Sequence, residues 1–484
     1  MHIMARNQET LIGREREMAE LQRSMESNRS EFVIVYGRRR VGKTYLVDHF
    51  FNRHYDFSFV GGHRLPKAKQ LRNFAKALKK YAHLPKQPVF AEWDDAFDAL
   101  EDYLESLPED TRKVLFFDEM PWIDTPQSEF VDALEMFWNA WAARRTDIVF
   151  VASGSATSWM VDKIVENQGG LHGRITNNIY VRPFTLHETE LYLQSRGIGW
   201  DRYQILQAYM TIGGIPFYYS LLDARESLVQ NINRLFFRQN GELSTEFEEL
   251  YNALFVNADK YINVARALNS VRGGMTREEI TKATGLKDVA LTTVLRNLER
   301  SDFIIRYSQF GNKNKGAVYR LVDFYTLFYY RFVENNTGKD EEWWSHNFQS
   351  HAVESWQGMS FELICLTHLN QIKRRLGISG IATEASSWRF VPAKDTDEKG
   401  TQIDLLIDRA DRIINLCEMK FSVSPYVITK DYEQSLRRRM SIFQEKSKTR
   451  KALVNTFVTT FGVASGAHHS IVGSEVTMDD LFAP

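Results

Sequence analysis

Phe32-Val33-Ile34-Val35-Tyr36-Gly37-Arg38-Arg39-Arg40-Val41-Gly42-Lys43-Thr44-Tyr45 is the most informative stretch of this chain. Phe32 to Tyr36 reads as a buried strand, Gly37 to Thr44 as a complete G-x-x-x-x-G-K-T loop, and Thr44 to Phe50 as a helix. A strand that ends in a glycine-rich turn and opens a helix directs backbone N–H groups and a helix N-terminus at phosphate oxygens. Lys43 then reaches the β and γ phosphates of a nucleoside triphosphate, and the Thr44 hydroxyl holds Mg2+. Gly37, Arg38, Arg39, Arg40, Val41, Gly42, Lys43, Thr44 and Tyr45 are therefore the expected nucleotide contacts. A chance glycine turn competes with this, but it would not come with both flanking elements.

Composition sets the outer bounds. A chain of 484 residues is too long for one hydrophobic core, so two to four domains are expected. Its 43% hydrophobic and 25% charged content are ordinary globular values. No run approaches the roughly 18 apolar residues of a membrane span. Met1-His2-Ile3-Met4-Ala5-Arg6 lacks the apolar segment of a secretory signal, so a cytoplasmic location and no membrane partner are expected. Cys365 and Cys417 are too few for a disulfide framework and sit in apolar runs as small hydrophobes. The net charge of −1 hides two basic stretches. Arg272 to Arg320 holds ten Lys/Arg against five Asp/Glu, and Lys430 to Lys451 holds eight against three. Such surfaces suit nucleic-acid phosphates, or are simply solvated helix faces.

Around the loop, short apolar strands alternate with helices, which predicts a parallel sheet covered on both faces. Val114-Leu115-Phe116-Phe117-Asp118-Glu119 is an apolar strand ending in two carboxylates. Asp118 is expected to act on Mg2+ and Glu119 to orient and polarise the attacking water. Ser153-Gly154-Ser155 follows the next strand, where a polar side chain, Ser153 being the candidate, senses the γ-phosphate or holds the water, or else the segment is a simple turn. Arg174 supplies charge to the transition state, in cis or from a second copy, or else makes an ordinary surface ion pair. Lys43, Asp118 and Ser153 all fall at the carboxyl edge of the sheet, where ligands sit.

Residues from about 11 to 330 resemble the P-loop ATPases widespread in archaea and found in some bacteria, of the AAA+/STAND lineage. The resemblance is carried by Leu11-Ile12-Gly13-Arg14-Glu15, the Gly37–Thr44 loop, the Asp118-Glu119 strand and Ser153-Gly154-Ser155. Pro183-Phe184-Thr185-Leu186 and Gly214-Ile215-Pro216 complete the set. It implies that Ile12, Gly13 and Arg14 lie near the adenine, that Gly214 and Pro216 belong to a helical lid, and that ATP and Mg2+ are used. A winged module is also typical of the lineage.

Farther on, Met275 to Ala283, the turn Thr284-Gly285-Leu286 and Val289 to Glu299 have helix-turn-helix spacing. Phe303 to Tyr307 and Ala317 to Leu321 would form the wing. Lys287, Thr292, Thr293 and Arg296 lie on the candidate reading helix, with Lys313 and Lys315 at the wing tip.

A second constellation follows. Ile403-Asp404-Leu405-Leu406-Ile407 and Ile413 to Lys420 form a hairpin in which Asp404 approaches Glu418, and Glu418 and Lys420 share a face. Converging carboxylates suit Mg2+. Lys420 would orient water or steady a phosphate, and Glu362 is a candidate further ligand. From Phe348 onward this is similar to the PD-(D/E)XK nucleases. That resemblance implies a restriction-endonuclease-like domain using Mg2+ or Mn2+. Gln402 departs from it, standing where many relatives carry a second acid. Lys430, Arg437, Arg438 and Arg439 on the next helix are candidate DNA contacts.

The expected fold is α/β, with a P-loop ATPase core (1–184), helical lid (185–258), winged helix (259–325), linker (326–347) and nuclease-like domain (348–484). The expected function is ATP hydrolysis coupled to DNA binding and metal-dependent DNA cleavage, with DNA and a homo-oligomer as partners. The alternative is an ATP-controlled switch or scaffold whose terminal domain does not cut.

Overall fold

The apolar run before the glycine loop forms β1 (Glu31–Tyr36), with Phe32 to Val35 wholly buried. The computed structural model describes residues 11–108, 111–155, 157–166, 170–171, 173–311, 317–336, 339–392 and 400–484. It divides into two units, one comprising residues up to Pro183 with Ala253–Phe255, the other Phe184–Asn252 with Val256–Pro484.

In the first unit, β2 (Phe57–Val60), β3 (Lys113–Asp118), β4 (Ile148–Gly154) and β5 (Asn177–Tyr180) join β1 in a parallel sheet ordered β2-β3-β4-β1-β5. Near-continuous apolar strands are what a sheet covered on both faces requires. On one face, Phe57, Phe117 and Phe150 pack with Phe74 of helix Lys67–Tyr81, Phe97 of helix Trp93–Glu105 and Phe137. The chain order of the strands reverses beside β1, so the loops after β1, β3 and β4 open at one carboxyl edge.

The second unit opens with helices Leu186–Ser195 and Arg202–Ile212, each started by a capping box, Thr185 with Glu188 and Asp201 with Gln204. Helices Ala258–Asn269, Arg277–Thr284 and Asp288–Arg300 follow, with β6 (Met275–Thr276), β7 (Ile304–Tyr307) and β8 (Val318–Leu321) in an antiparallel sheet ordered β6-β8-β7. The helix expected from Met275 starts at Arg277, because Met275 and Thr276 pair with β8 and Thr276 caps the helix. Lys313 and Lys315 lie outside the described residues.

In place of the expected linker at 326–347, residues 324–333 and 343–347 are packed structure. Helix Phe324–Phe328, a π-turn Tyr329–Val333 and helix Trp343–Asn347 bury Phe328, Phe332 and Trp344. The ring of Phe328 stands 4.9 Å from that of Phe236, 5.1 Å from Trp344 and 5.4 Å from Trp356. A stretch this rich in aromatic side chains gains more by burial than a solvated linker would allow.

Helix His351–Thr367 precedes the last sheet, ordered β13-β12-β11-β10-β9. It consists of β9 (Thr383–Phe390), β10 (Thr401–Arg409), β11 (Ile413–Lys420), β12 (Ala452–Thr459) and β13 (Ser474–Thr477). Strands β9, β10 and β11 run antiparallel, whereas β11, β12 and β13 run parallel, with helix Lys430–Ser447 as the β11–β12 crossover. Strand β13 escaped the sequence reading because it is short and only Val476 among its residues is buried. Among the described residues no helix is long and apolar enough to cross a membrane.

Candidate nucleotide site and a second charged cluster

The glycine loop turns back over the end of β1. Gly37 has φ 150°, and a Cβ there would stand 2.4 Å from the Val181 carbonyl oxygen, so only glycine fits. Gly42, at φ 91°, leads directly into helix Lys43–Phe50. Arg14 is buried and donates from Nη2 to the Val41 carbonyl at 3.1 Å. The Ile12-Gly13-Arg14 segment thereby braces the phosphate loop through Arg14, with Gly13 at φ 65° and Arg14 at φ 72° shaping the bend. Arg38 is buried, Arg39 and Arg40 are half-buried, and Tyr45 is exposed on the first helical turn.

Lys43 and Thr44 point into a polar group drawn from three strand ends. Lys43 Nζ donates to the carbonyls of Gly37 (3.2 Å) and Arg38 (3.0 Å) and to Ser155 Oγ (2.9 Å). Ser155 Oγ donates in turn to Glu119 Oε1 at 2.7 Å. Burial pushes the Lys43 ammonium down to about 8, although Glu119 and Asp118 oppose the shift. Thr44 Oγ1 donates to Asp118 Oδ2 at 3.0 Å, and Ser153 Oγ donates to Asp118 Oδ1. Burial, with help from the Glu119 charge, holds the Asp118 carboxyl above its usual range, against the hydrogen bonds from Ser153 and Thr44. Thr44 and Asp118 are hard oxygen donors on adjacent elements, a set that fits Mg2+.

Glu119 adopts φ 49°, a left-handed turn at the end of the strand. Gly61 makes room for that turn: its N–H donates to Asp118 O at 2.9 Å, and a Cβ would lie 2.5 Å from Glu119 O. Fully buried Gln70 ties the β2 end to the β3 end, donating to the carbonyls of Gly62 and Trp122, both at 2.7 Å.

Ser153 does not face Lys43. It is wholly buried against Asp118, and the serine at Lys43 is Ser155. The only sequence signal was two serines flanking one glycine, which cannot tell which is presented. Arg174 is exposed, and its N–H closes a turn onto Leu171 O at 3.0 Å. Among the described contacts none joins its side chain to Lys43, Asp118 or Glu119. In the second unit, Gly214 O accepts from Phe184 N at 2.6 Å, and a Cβ on Gly214 would meet Phe184 O at 2.0 Å. Pro216 starts helix Pro216–Ser220. Gly214 thus packs closely on Phe184, and Pro216 opens a helix.

Each of the terminal carboxylates is engaged by other side chains of the protein. Leu405 pairs with Cys417, which sets Asp404 across from Glu418, and a bulge between Ile403 and Leu406 alters the local pleat. Gln402 Nε2 donates to Asp404 Oδ1 at 2.7 Å. Glu418 is buried and accepts from Tyr432 Oη at 2.6 Å and from Arg439, with Lys420 Nζ 3.7 Å away. Buried Glu362 pairs with Arg272 at 2.5 Å and Arg320 at 3.3 Å. Burial lowers the Lys420 ammonium, opposed by Glu362. Glu362, Asp404 and Glu418 carry the oxygens Mg2+ or Mn2+ would need, but as they stand they do not fit a metal ion. Among the described residues no group of three or more His, Cys, Asp or Glu side chains is close enough to hold one. Arg439, expected to face DNA, turns inward onto Glu418, and Arg437 pairs with Glu433. Lys430 and Arg438 stay exposed.

The parallel sheet, the glycine loop after β1 and the carboxylates at the end of β3 resemble those of P-loop ATPases, and this domain fits ATP binding and hydrolysis. Residues 11–222 match the model of an ATPase domain predominantly from Archaea. An uncharacterized protein of Methanocaldococcus jannaschii is 25% identical over 336 residues, 68% of this chain and 70% of that protein. The Walker-type ATPase of Pyrococcus abyssi aligns with a TM-score of 0.48 at 18% identity, over 66% of this chain and 96% of its own. The Aeropyrum pernix ORC2 protein aligns with a TM-score of 0.40 at 15% identity, over 66% and 92%.

Proposed function

We propose that this protein binds and hydrolyses ATP and couples its nucleotide state to DNA binding and to metal-dependent DNA cleavage by its terminal domain. The observation that carries the ATPase part is the hydrogen-bonded chain from Lys43 through Ser155 to Glu119. Lys43, held by two loop carbonyls, is aimed where the β and γ phosphates would lie. Thr44 and Asp118 would hold Mg2+, which supplies positive charge against the phosphates during transfer. Glu119 accepts the proton of the attacking water, and Ser155 positions that carboxylate relative to Lys43. An arginine such as Arg174, from this chain or a second copy in a homo-oligomer, would add charge to the transition state. Gly214 and Pro216 would belong to the helical lid that the resemblance implies.

The DNA part is supported by exposed cations. Lys287 and Arg296 lie exposed at helix Asp288–Arg300, and Lys430 and Arg438 on helix Lys430–Ser447. The order of helix, three-stranded meander, helix and parallel strand supports a nuclease-like architecture for the terminal domain, although Glu362, Asp404 and Glu418 as they stand do not fit the metal ion that cleavage would need. ATP turnover in wild type, Lys43→Ala and Glu119→Gln tests the first part. Lys43→Ala is expected to lose nucleotide affinity, and Glu119→Gln to keep it while turnover falls about 100-fold or more. Unchanged turnover in both would remove the ATPase assignment. Plasmid nicking with Mg2+ or Mn2+ in wild type and Asp404→Ala tests the second.

One observation favours a different terminal role, that of a non-cleaving docking platform in an ATP-controlled switch. Each of the three carboxylates already has a protein partner. DNA binding without nicking under any divalent ion would support that role.

A further inference from the structure

The hairpin of β7 and β8 and the terminal sheet both lie in the second unit, and they are joined at two places. The first is a strand edge. Beyond β7 the chain runs parallel to β9, with Gln309 opposite Ser387. Ser387 N donates to Ser308 O at 3.3 Å, and Phe310 N donates to Ser387 O at 2.8 Å. Strand β9 is the edge of its sheet, and an uncovered edge leaves N–H and C=O groups open to wrong pairing. Ser387 is also where the pairing of β9 with β10 shifts register, opposite the bulge between Ile403 and Leu406. The Phe310 side chain follows its backbone into the terminal core. Its ring stands 5.1 Å from that of Phe443 on helix Lys430–Ser447, which in turn lies 5.0 Å from Trp388 of β9. Phe310 thereby packs on the cluster that Trp388 and Phe443 form with Ile403, Leu406, Ile414 and Leu416.

The second place is a buried charge. Arg320, on β8, has a side chain only 4% exposed and donates to Glu362 Oε2 at 3.3 Å. Glu362 is itself buried, on helix His351–Thr367. Its other oxygen accepts from Arg272, in the turn before β6, at 2.5 Å. Tyr307 Oη, at the end of β7, closes that turn by donating to Gly273 O at 2.9 Å. Removing one member of a buried ion pair strands the other charge, whereas replacing both by apolar residues of similar volume is often neutral.

We propose that the winged hairpin is a joint whose partner is the terminal sheet of the same chain. Residues 308–310 act as a short added strand that covers the β9 edge, and Glu362 acts as the counter-ion of Arg320. The winged module and the terminal sheet accordingly move as one body, and a displacement of the module is delivered to β9 opposite its bulge. This inference rests on neither the ATPase reading nor the cleavage reading.

Two measurements on the full-length protein test it. By hydrogen–deuterium exchange, Phe310→Ala is expected to speed exchange in peptides spanning Thr383–Phe390 about tenfold, while β13 at the far edge stays within about twofold of wild type. By thermal melting, Glu362→Leu and Arg320→Met, each alone, are expected to lower the melting temperature by about 6 °C or more. The double substitution should recover about half of the larger loss or more, because no charge is then stranded. Should Glu362→Leu not fold, Glu362→Gln with Arg320→Gln completes the same cycle. Unchanged exchange at β9 in Phe310→Ala would overturn the joint, and so would losses at Glu362 and Arg320 that simply add in the double variant.

Discussion

Lys43 Nζ and Ser155 Oγ are 2.9 Å apart, and through that one hydroxyl the lysine of the glycine loop is joined to the carboxylate of Glu119. A single serine therefore sits between the lysine proposed to hold phosphate and the carboxylate proposed to handle water. Were phosphate oxygens to accept the Lys43 hydrogen bonds, Ser155 would still donate to Glu119 and keep that carboxylate oriented.

Substitution of Ser155 by alanine should therefore act on turnover more than on affinity. A hydrogen bond to a charged group is worth about 1.5–3 kcal/mol. That corresponds to a loss of roughly 10- to 100-fold in kcat. Nucleotide Kd is expected to change by less than about threefold, because the loop amides and Lys43 remain. Steady-state ATPase assays beside binding of a fluorescent ATP analogue separate the two; a larger effect on Kd than on kcat would contradict the relay.

Lys43 should take up a proton when nucleotide binds in mildly alkaline solution. Its ammonium is pushed down to about 8 by burial, below its value in an unfolded chain. The unfolded chain binds more protons between those two values, so the cost of burying the charge is fully present below pH 8 and relieved as pH rises. A triphosphate restores the ammonium, giving about 0.7 proton taken up at pH 8.5 and roughly 0.1 at pH 7. Calorimetry in buffers of differing ionisation enthalpy reads this number directly.

Acid should loosen the second unit through His368. Burial pushes this imidazole down to about 4, partly opposed by the Ile364 carbonyl, and its Nε2 accepts from Leu186 N at 3.1 Å. The unfolded chain binds the extra proton between the ordinary histidine value and about 4. The stabilisation is therefore complete above the ordinary value and is lost as pH falls through the folded one. Between pH 7 and pH 5 the loss is about 2 kcal/mol. Urea unfolding followed by tryptophan fluorescence should show it in wild type and much less of it in His368→Gln, whose baseline stability is lower.

Gly37→Ala should abolish the site rather than weaken it. The new methyl would meet a backbone oxygen at 2.4 Å, and φ of 150° is a region that side-chain-bearing residues avoid. Strain of this kind costs about 1–3 kcal/mol before the clash is counted. Thermal melting together with ATP binding checks it, and a protein that melts and binds like wild type would refute the close approach.

The parallel sheet and its phosphate loop were legible in the linear chain because their causes are local. Phe32 to Val35 can only be a doubly covered strand, and Gly37, Gly42 and Lys43 meet backbone and charge demands that no other residues satisfy at that turn. The carboxylates ending β3 followed from the same periodicity. Three-dimensional packing alone determined which serine meets Lys43, since Ser153 and Ser155 are chemically identical and only the Asp118 and Glu119 positions distinguish them. Packing also buried Phe328, Phe332 and Trp344 where a connector was expected. It likewise brought Arg272, Arg320 and Glu362 together across 42 to 90 residues of chain. Residue spacing encodes which face of an element a side chain occupies; which distant charge then covers that face depends on how the elements stack, and no local pattern carries that information.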